Sequence, residues 1–267
     1  FLPEAERPPV GRGWEPAAGR ARVVMSNLST EETLQLLQSG EMEVEGLVSW
    51  GSNYTFLVRI CAPEDGAEVS AVYKPRRGER PLWDFAPGTL CLRELAAYLV
   101  SELLGWRLVP ATVLRDGPHG WGSIQLFVEH DPNEHYFTFQ GQYPDQLMRV
   151  VLFDLLVNNA DRKGGHILLD TSGHLWSIDH GICFHNEYKL RTVIWDFAGE
   201  KIPRHLVDDL VRLQEKLDDD ADEQIAKLRQ LLSEREIAAL RRRLERLIQR
   251  PVFPQPGPGR HYPWPPV

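Results

Sequence analysis

No stretch of this 267-residue chain is apolar for long enough to cross a bilayer as a helix, and none carries a signal-peptide pattern. Cysteine is scarce. Cys61, Cys91 and Cys183 have neither metal-ligand nor redox spacing, and an odd count suits a reducing compartment, so a cytoplasmic protein is expected. Positive charge is in deficit as well. A net charge of −8 and a pI near 5.6 argue against a nucleic-acid partner, which would need basic surface. The same deficit tells against standing attachment to anionic membranes. There is no Gly-x-Gly-x-x-Gly, no Walker sequence, no Ser/His/Asp or Cys/His nucleophile arrangement, no zinc motif and no internal repeat. What is present is ordinary globular material: 42% hydrophobic and 25% charged residues, enough for a real core in a two-lobed protein.

Punctuation by Pro, Gly and caps divides the chain. Residues 1–24 are rich in Pro, Gly, Arg and Ala without periodicity and read as an extended arm. A small lobe is expected over 25–130. It opens with a capping box, Ser29-Thr30-Glu31-Glu32, and a short helix that stops at Gly40. Strands follow from Met42 to Val72, with turns at Gly51-Ser52-Asn53 and Pro63-Glu64-Asp65-Gly66. Thr89 to Leu104 reads as an amphipathic helix closed by Gly105, followed by strands near Val109 to Leu114 and Gly122 to Val128. A second lobe is expected over 131–250. It has a helix starting near Pro144, helices at about Arg204 to Leu217, Ala221 to Leu232 and Glu234 to Gln249, and a capping box at Ser233 and Glu236. The run Arg241-Arg242-Arg243 reads as a solvated face. Residues 251–267 form a Pro-rich tail whose Tyr262 and Trp264 either strap onto the body or hang free.

The informative stretch is Asn158-Asn159-Ala160-Asp161-Arg162-Lys163-Gly164-Gly165-His166, followed by the apolar Ile167-Leu168-Leu169 and then Trp176-Ser177-Ile178-Asp179-His180-Gly181. Two acids, Asp161 and Asp179, thus end neighbouring short elements, eighteen positions apart (179 minus 161). Phosphoryl transfer needs such a pair, one acid near the attacking hydroxyl and one on the metal that holds the phosphates. The segment resembles the catalytic and metal-binding loops of the phosphatidylinositol 3-/4-kinase-like superfamily, with their Asp-Arg-x-x-x-Asn and Ile-Asp-x-Gly. It is most like an actinobacterial branch that carries Asp-Arg-Lys-Gly-Gly-His. The resemblance covers roughly residues 42–200 and is specific over 154–181.

It implies a two-lobed α+β kinase fold with a β-rich N-lobe, a helical C-lobe and ATP in the cleft. Asp161 would serve the acceptor hydroxyl, and Lys163 would neutralise charge on the transferred group. Asp179 would hold the metal. His166 stands where the superfamily has Asn, so an imidazole would replace an oxygen ligand, which suits Mn²⁺ better than Mg²⁺; a hydrogen-bonding core histidine is the other reading. Arg162 reads as structural, paired with an acid of the second lobe, and His180 adds polarity beside the metal acid. Lys74, at the end of the strand Ala71-Val72-Tyr73-Lys74, is expected on the ATP phosphates. Glu94 is its expected helix partner, with Glu102 as competitor. Gly51, Ser52 and Asn53 are candidate phosphate contacts through backbone N–H groups. Gln125 and Phe127 are further candidates for the nucleotide. The implied activity is ATP-dependent transfer, with Mg²⁺ or Mn²⁺, to a hydroxyl of a protein or small molecule. Lys189 and Arg191 are the only cations between Asp179 and Lys201, few for a phosphoinositide head group. A phosphoinositide lipid kinase and a non-catalytic nucleotide-binding scaffold stay open as alternatives.

Overall fold

The computed structural model describes residues 28–48, 53–63, 66–257 and 259–267. The expected N-terminal arm, Gly51 and Ser52 of the phosphate turn, and Glu64 and Asp65 of the next turn lie outside the described residues. Two compact units make up the chain. One runs to Cys91 and resumes over Ala111–Phe127; the other comprises Leu92–Pro110 and Val128–Val267. The sequence suggests a single boundary near residue 130, but Leu92–Pro110 belongs with the C-terminal part. Its contacts explain why: the Trp106 indole donates to Asp209 at 2.7 Å, and the Leu103 carbonyl accepts from Lys216 Nζ at 2.9 Å. Among the described residues no helix is long and apolar enough to cross a membrane.

In the first unit, α1 (Thr30–Ser39) opens with the expected capping box: Ser29 and Glu32 exchange side-chain and backbone hydrogen bonds. A five-stranded sheet follows, with β1 (Glu41–Val48), β2 (Thr55–Cys61), β3 (Glu68–Pro75), β4 (Thr112–Gly117) and β5 (Gly120–Leu126) in the order β1-β2-β3-β5-β4. Every paired edge is antiparallel. Period-two alternation buries Phe56, Val58, Ile60, Val69, Ala71 and Tyr73 on one face. Leu36 and Leu37 of α1 are buried too, and Gly40 approaches Ile60 so closely that a β carbon would stand 2.6 Å from its side chain. β4 starts three residues later than the β-branched pattern from Val109 suggests. Leu108 and Val109 donate their N–H groups to Ser101 Oγ, which takes them out of any ladder.

The second unit contains α2 (Leu90–Leu104), whose first two residues count with the other unit, and α3 (Pro144–Val157). A two-stranded ladder, β6 (Ile167–Leu169) and β7 (Leu175–Ser177), pairs antiparallel with Leu168 opposite Trp176. Three helices follow: α4 (Arg204–Leu217), α5 (Glu223–Leu231) and α6 (Glu234–Gln249), the last opened by the Ser233–Glu236 capping box. The arginine run on α6 is not uniformly solvated. Arg243 donates to the Leu156 and His185 carbonyls, and burial lowers its pKa to about 10; Arg241 pairs with Asp218.

Candidate functional site

The loop of Asp161 is positioned by α3 and by what ends it. Asn158 adopts a left-handed conformation (φ 56°) as the C-cap, which Asn tolerates better than most residues. Its amide then clasps a later segment: Nδ2 donates to the His185 and Glu187 carbonyls, and Oδ1 accepts from the Lys189 N–H at 2.9 Å. Asn159 turns the chain the other way, donating to Asp154 Oδ1 at 3.0 Å and accepting the Asp161 N–H at 3.0 Å. Thus the two asparagines before the acid fix where its backbone leaves the helix.

Arg162 supplies the structural anchor. It is fully buried, and its guanidinium meets Asp154 on α3 in a fork, Nε to Oδ2 at 2.8 Å and Nη2 to Oδ1 at 3.0 Å. The remaining donors reach the His166 and Ile178 carbonyls, at 3.1 and 2.9 Å, and Nη2 lies 2.8 Å from His180 Nε2. One side chain therefore joins α3, the Asp161 loop, the backbone just before Asp179 and the His180 ring just after it. Burial opposes the guanidinium's charge and the Asp154 carboxylate more than restores it, so its pKa is raised. The structural role expected of Arg162 is present, and Asp154 is the acid that sequence reasoning left unnamed.

Asp179 sits at φ 60°, a conformation few non-glycine residues adopt. Its neighbours hold it there. The next N–H, of His180, is accepted by the buried Glu94 carboxylate of α2 at 2.9 Å; the preceding Ile178 N–H is accepted by the His166 carbonyl at 3.0 Å. His166 lies in a single 3₁₀ turn, Gly164–His166, that the sequence did not announce. The result brings four expected residues together in this unit. Asp179 Oδ2 lies 3.3 Å from His166 Nε2, and Lys163 Nζ lies 3.7 Å from Asp161 Oδ2. The Asp179 side chain is 48% exposed and that of His166 only 16%, so the carboxylate presents itself to a ligand while the ring backs it.

Burial pushes the Asp161 carboxyl up to about 6; Lys163 pulls it down, and the negative charge of Asp179 adds to the rise. Two carboxylates that feel each other across a partly buried site fit a divalent cation, which would relieve that repulsion. Among the described residues no three His, Cys, Asp or Glu side chains gather as a complete metal cage. A Mg²⁺ or Mn²⁺ site of the kinase kind does not need one. It takes one or two protein donors and completes its shell with phosphate oxygens and water.

Asn53, Lys74, Gln125 and Phe127 lie in the first unit, the last three on the sheet face opposite Tyr73. Lys74 stands across from Ser123 and Val72 across from Gln125 in the β3–β5 ladder, and Phe127 follows two residues on. Lys74, Gln125 and Phe127 therefore line one face of the sheet. Gly122 lets β5 approach β3 closely there: a β carbon on it would lie 2.3 Å from the Lys74 carbonyl oxygen. The Gln125 amide donates to Thr112 Oγ1 at 3.0 Å. Asn53 Oδ1 accepts the Arg80 N–H at 2.7 Å, so its side chain holds the local turn. Glu102, the competitor of Glu94, is partly buried, and burial raises its pKa.

Sequence reasoning missed two contributors. Val193 donates to the Arg162 carbonyl and Arg162 to the Arg191 carbonyl, so a short parallel bridge ties the loop to the segment 191–193. The Pro-rich tail also packs down: the Pro266 carbonyl accepts the Gly164 N–H at 2.8 Å. Neither contact has a local signal, because each joins residues far apart in the chain.

Comparison with known proteins adds an independent line. Residues 114–249 match the family model described as phosphatidylinositol 3- and 4-kinase. The chain is 40% identical over 266 residues to protein Rv2133c of Mycobacterium tuberculosis, covering 86% of this chain and 94% of that protein. It is 27% identical over 140 residues to phosphatidylinositol 4-kinase gamma 3 of Arabidopsis thaliana, where the match spans 40% of this chain and 24% of the plant protein. Among solved structures, the Helicobacter pylori proinflammatory kinase CtkA is similar over 80% of this chain and 93% of its own, at 11% identity and a TM-score of 0.45.

Proposed function

We propose that this chain, which belongs to the phosphatidylinositol 3- and 4-kinase family, is an ATP-dependent phosphotransferase that moves the γ-phosphoryl group to a hydroxyl of a protein or small molecule. Membership supports kinase-like chemistry. The observation that carries the finer reading is the geometry around Asp161: a half-buried carboxyl raised to about 6, Lys163 beside it, and the metal-type acid Asp179 felt across the site. A base whose pKa lies just below neutral is ionised at working pH and still takes a proton readily.

In this reading Asp161 accepts the proton of the acceptor hydroxyl while the hydroxyl oxygen of the acceptor forms a bond to the γ-phosphorus of ATP. The bond from that phosphorus to the bridging oxygen breaks, giving ADP and a phosphoester. Lys163 holds positive charge next to Asp161 and the transferred group. Asp179, backed by His166, would hold Mg²⁺ or Mn²⁺, which when bound supplies charge neutralisation on the phosphates. Lys74, Gln125 and Phe127 on the sheet face are assigned to the nucleotide, and Gly51, Ser52 and Asn53 to its phosphates. Glu94 acts as a positioning residue, because its carboxylate holds the His180 N–H and with it the backbone of Asp179.

The test is Asp161→Asn. Nucleotide binding, followed as an ATP-dependent rise in melting temperature, should stay near that of the parent. Transfer of labelled γ-phosphate should fall by roughly 10²–10⁴-fold, the usual worth of general-base assistance. Equal transfer rates in parent and variant would remove Asp161 from this role.

A further inference from the structure

A cleft of about 400 Å³ opens in the second unit, where the end of α2 and parts of α3 and α4 meet. None of its lining residues is assigned above to phosphoryl transfer. It carries three cations, Arg149 from α3 and Arg212 and Lys216 from α4, and one acid, Asp209. Asp209, Arg212 and Lys216 are spaced by three and four residues, which puts them on one side of α4. Both Asp209 oxygens are engaged: Oδ2 accepts from the Trp106 indole at 2.7 Å and Oδ1 from Arg212 Nη2. The acid therefore serves the wall and holds Arg212 at the cleft. Lys216 Nζ donates to the Leu103 carbonyl at 2.9 Å, which leaves two of its three N–H groups. Arg149 is served least. Among the described residues it has no carboxylate partner, and its Nε is buried without an acceptor. Partly buried guanidinium groups are normally pinned by such partners; this one can turn its fork onto a ligand.

Asp209 cancels one of the three cations, and the carbonyl pole of α2, worth about half an elementary charge, offsets part of another. More than one positive charge stays uncompensated, in a chain whose net charge is −8. We propose that this cleft binds a phosphate monoester, with Arg149 and Lys216 on the phosphoryl oxygens and Arg212 beside them. A phosphoryl group brings about −1.5 to −2 charges at neutral pH and three acceptor oxygens, which matches the charge left over and the donors that remain. The cleft falls within the usual span of small-molecule sites, about 300–1,000 Å³, so the phosphoryl group would arrive on a polar body. A soluble ester and a lipid head group both present such a group, and the chemistry at Arg149 and Lys216 is the same for each. The site stands apart from the kinase reading and does not depend on it.

The melting temperature of the full chain reads the site when titrated with inorganic phosphate and with glycerol phosphate. Glycerol, sodium chloride and sodium acetate at matched ionic strength are the controls. Expected is a saturable rise with both phosphates, beyond the general salt effect that the controls report. Arg149→Gln and Lys216→Gln should each weaken the apparent affinity at least about tenfold, the worth of a hydrogen bond to a charged group. Their melting temperatures without ligand should move little, because Lys216 is exposed and Arg149 leaves no carboxylate behind. Should Arg149→Gln unsettle the fold, Lys216→Gln carries the test alone. Lys74→Ala, in the other unit, should respond to phosphate as the parent does.

Sedimentation with phosphatidylcholine vesicles, with and without phosphatidic acid, separates the two sources, since phosphatidic acid carries a phosphate monoester as its head group. Pelleting with phosphatidic acid that Lys216→Gln abolishes supports the site and names a lipid. Saturable binding of glycerol phosphate without pelleting supports it and names a soluble ester. A phosphate response that is lost in Lys74→Ala and kept in Arg149→Gln and Lys216→Gln belongs to the nucleotide site and overturns the proposal. So does a rise that chloride or acetate reproduces, or the lack of any saturable rise with either phosphate.

Discussion

Two arginines show how differently the units are held. Arg59, on β2, faces Glu43 and Glu45 of β1 and Glu68 of β3, in a cluster at the surface of the sheet. Arg162 has no exposure at all and spends its donors on Asp154, two carbonyls and His180. Exposed clusters of the first kind add little, because water and salt serve each charge nearly as well. A buried, fully engaged guanidinium is different. Its pairing outweighs the desolvation that opposes it, and removing one partner strands the other in a place where it has no substitute. Strand register with an apolar face therefore specifies the sheet, while polar satisfaction specifies the Asp161 loop.

Asp154→Ala should break the comparison most visibly, costing about 3–5 kcal/mol of stability because Arg162 would be left buried and unpaired. Urea denaturation of the isolated protein measures it, and a loss comparable with an ordinary surface substitution would refute the polar account of the loop. Next comes the pH dependence of Asp161. Its folded pKa is raised by burial to about 6, above its ordinary value, so the native state holds the proton more tightly than the unfolded chain. Stability from this group is thus present below the ordinary pKa near 4 and lost as pH climbs through 6. Asp161→Asn escapes that loss. It should match the parent below about pH 4 and exceed it by roughly 1–2 kcal/mol above pH 6, less whatever solvent screening recovers. A stability difference independent of pH would sink this reading.

Lys74→Ala, on the sheet, should keep folding stability within about 0.5 kcal/mol and weaken ATP by roughly tenfold, about 1.4 kcal/mol. Titrating the melting temperature with ATP separates the two effects; a fold that melts early without ATP would mean that Lys74 is structural. The smallest effect is expected of Arg59→Ala, whose unfolding midpoint should stay close to the parent's, particularly in high salt. A clear drop there would erase the contrast between the two arginines.

Local chemistry made much of this legible. Both capping boxes, the end of α2 at Gly105, the bounds of α4 and α6, and the alternation in β2 and β3 follow from residues within a turn or a strand of one another. The family resemblance singled out Asp161, Lys163, His166 and Asp179, but that Lys163 lies beside Asp161 and His166 beside Asp179 is seen only in the structure. What stayed hidden depends on closure over long separations. Asp154 could be any acid on an amphipathic helix until the loop folds back onto it. The start of β4 is decided by Ser101, on a helix several residues earlier. Arg243 reads as surface charge by composition, yet the Leu156 carbonyl at the end of α3 takes its proton donor. The tail gave no signal of its own, since prolines and aromatics look alike whether docked or free.

Cys183 gives the loop a built-in clock. It lies four residues after Asp179, is completely buried, and its carbonyl accepts Arg93 Nη1 at 2.7 Å; burial pushes its thiol well above the ordinary value. A thiol that is both shielded and protonated reacts with an alkylating reagent only while its surroundings are open. Cys61, partly exposed on β2, should label first and serve as the internal reference. The delay of Cys183 behind it would then count how often the segment carrying Asp179 comes undone, and nucleotide or metal that tightens the segment would lengthen that delay without any engineered probe.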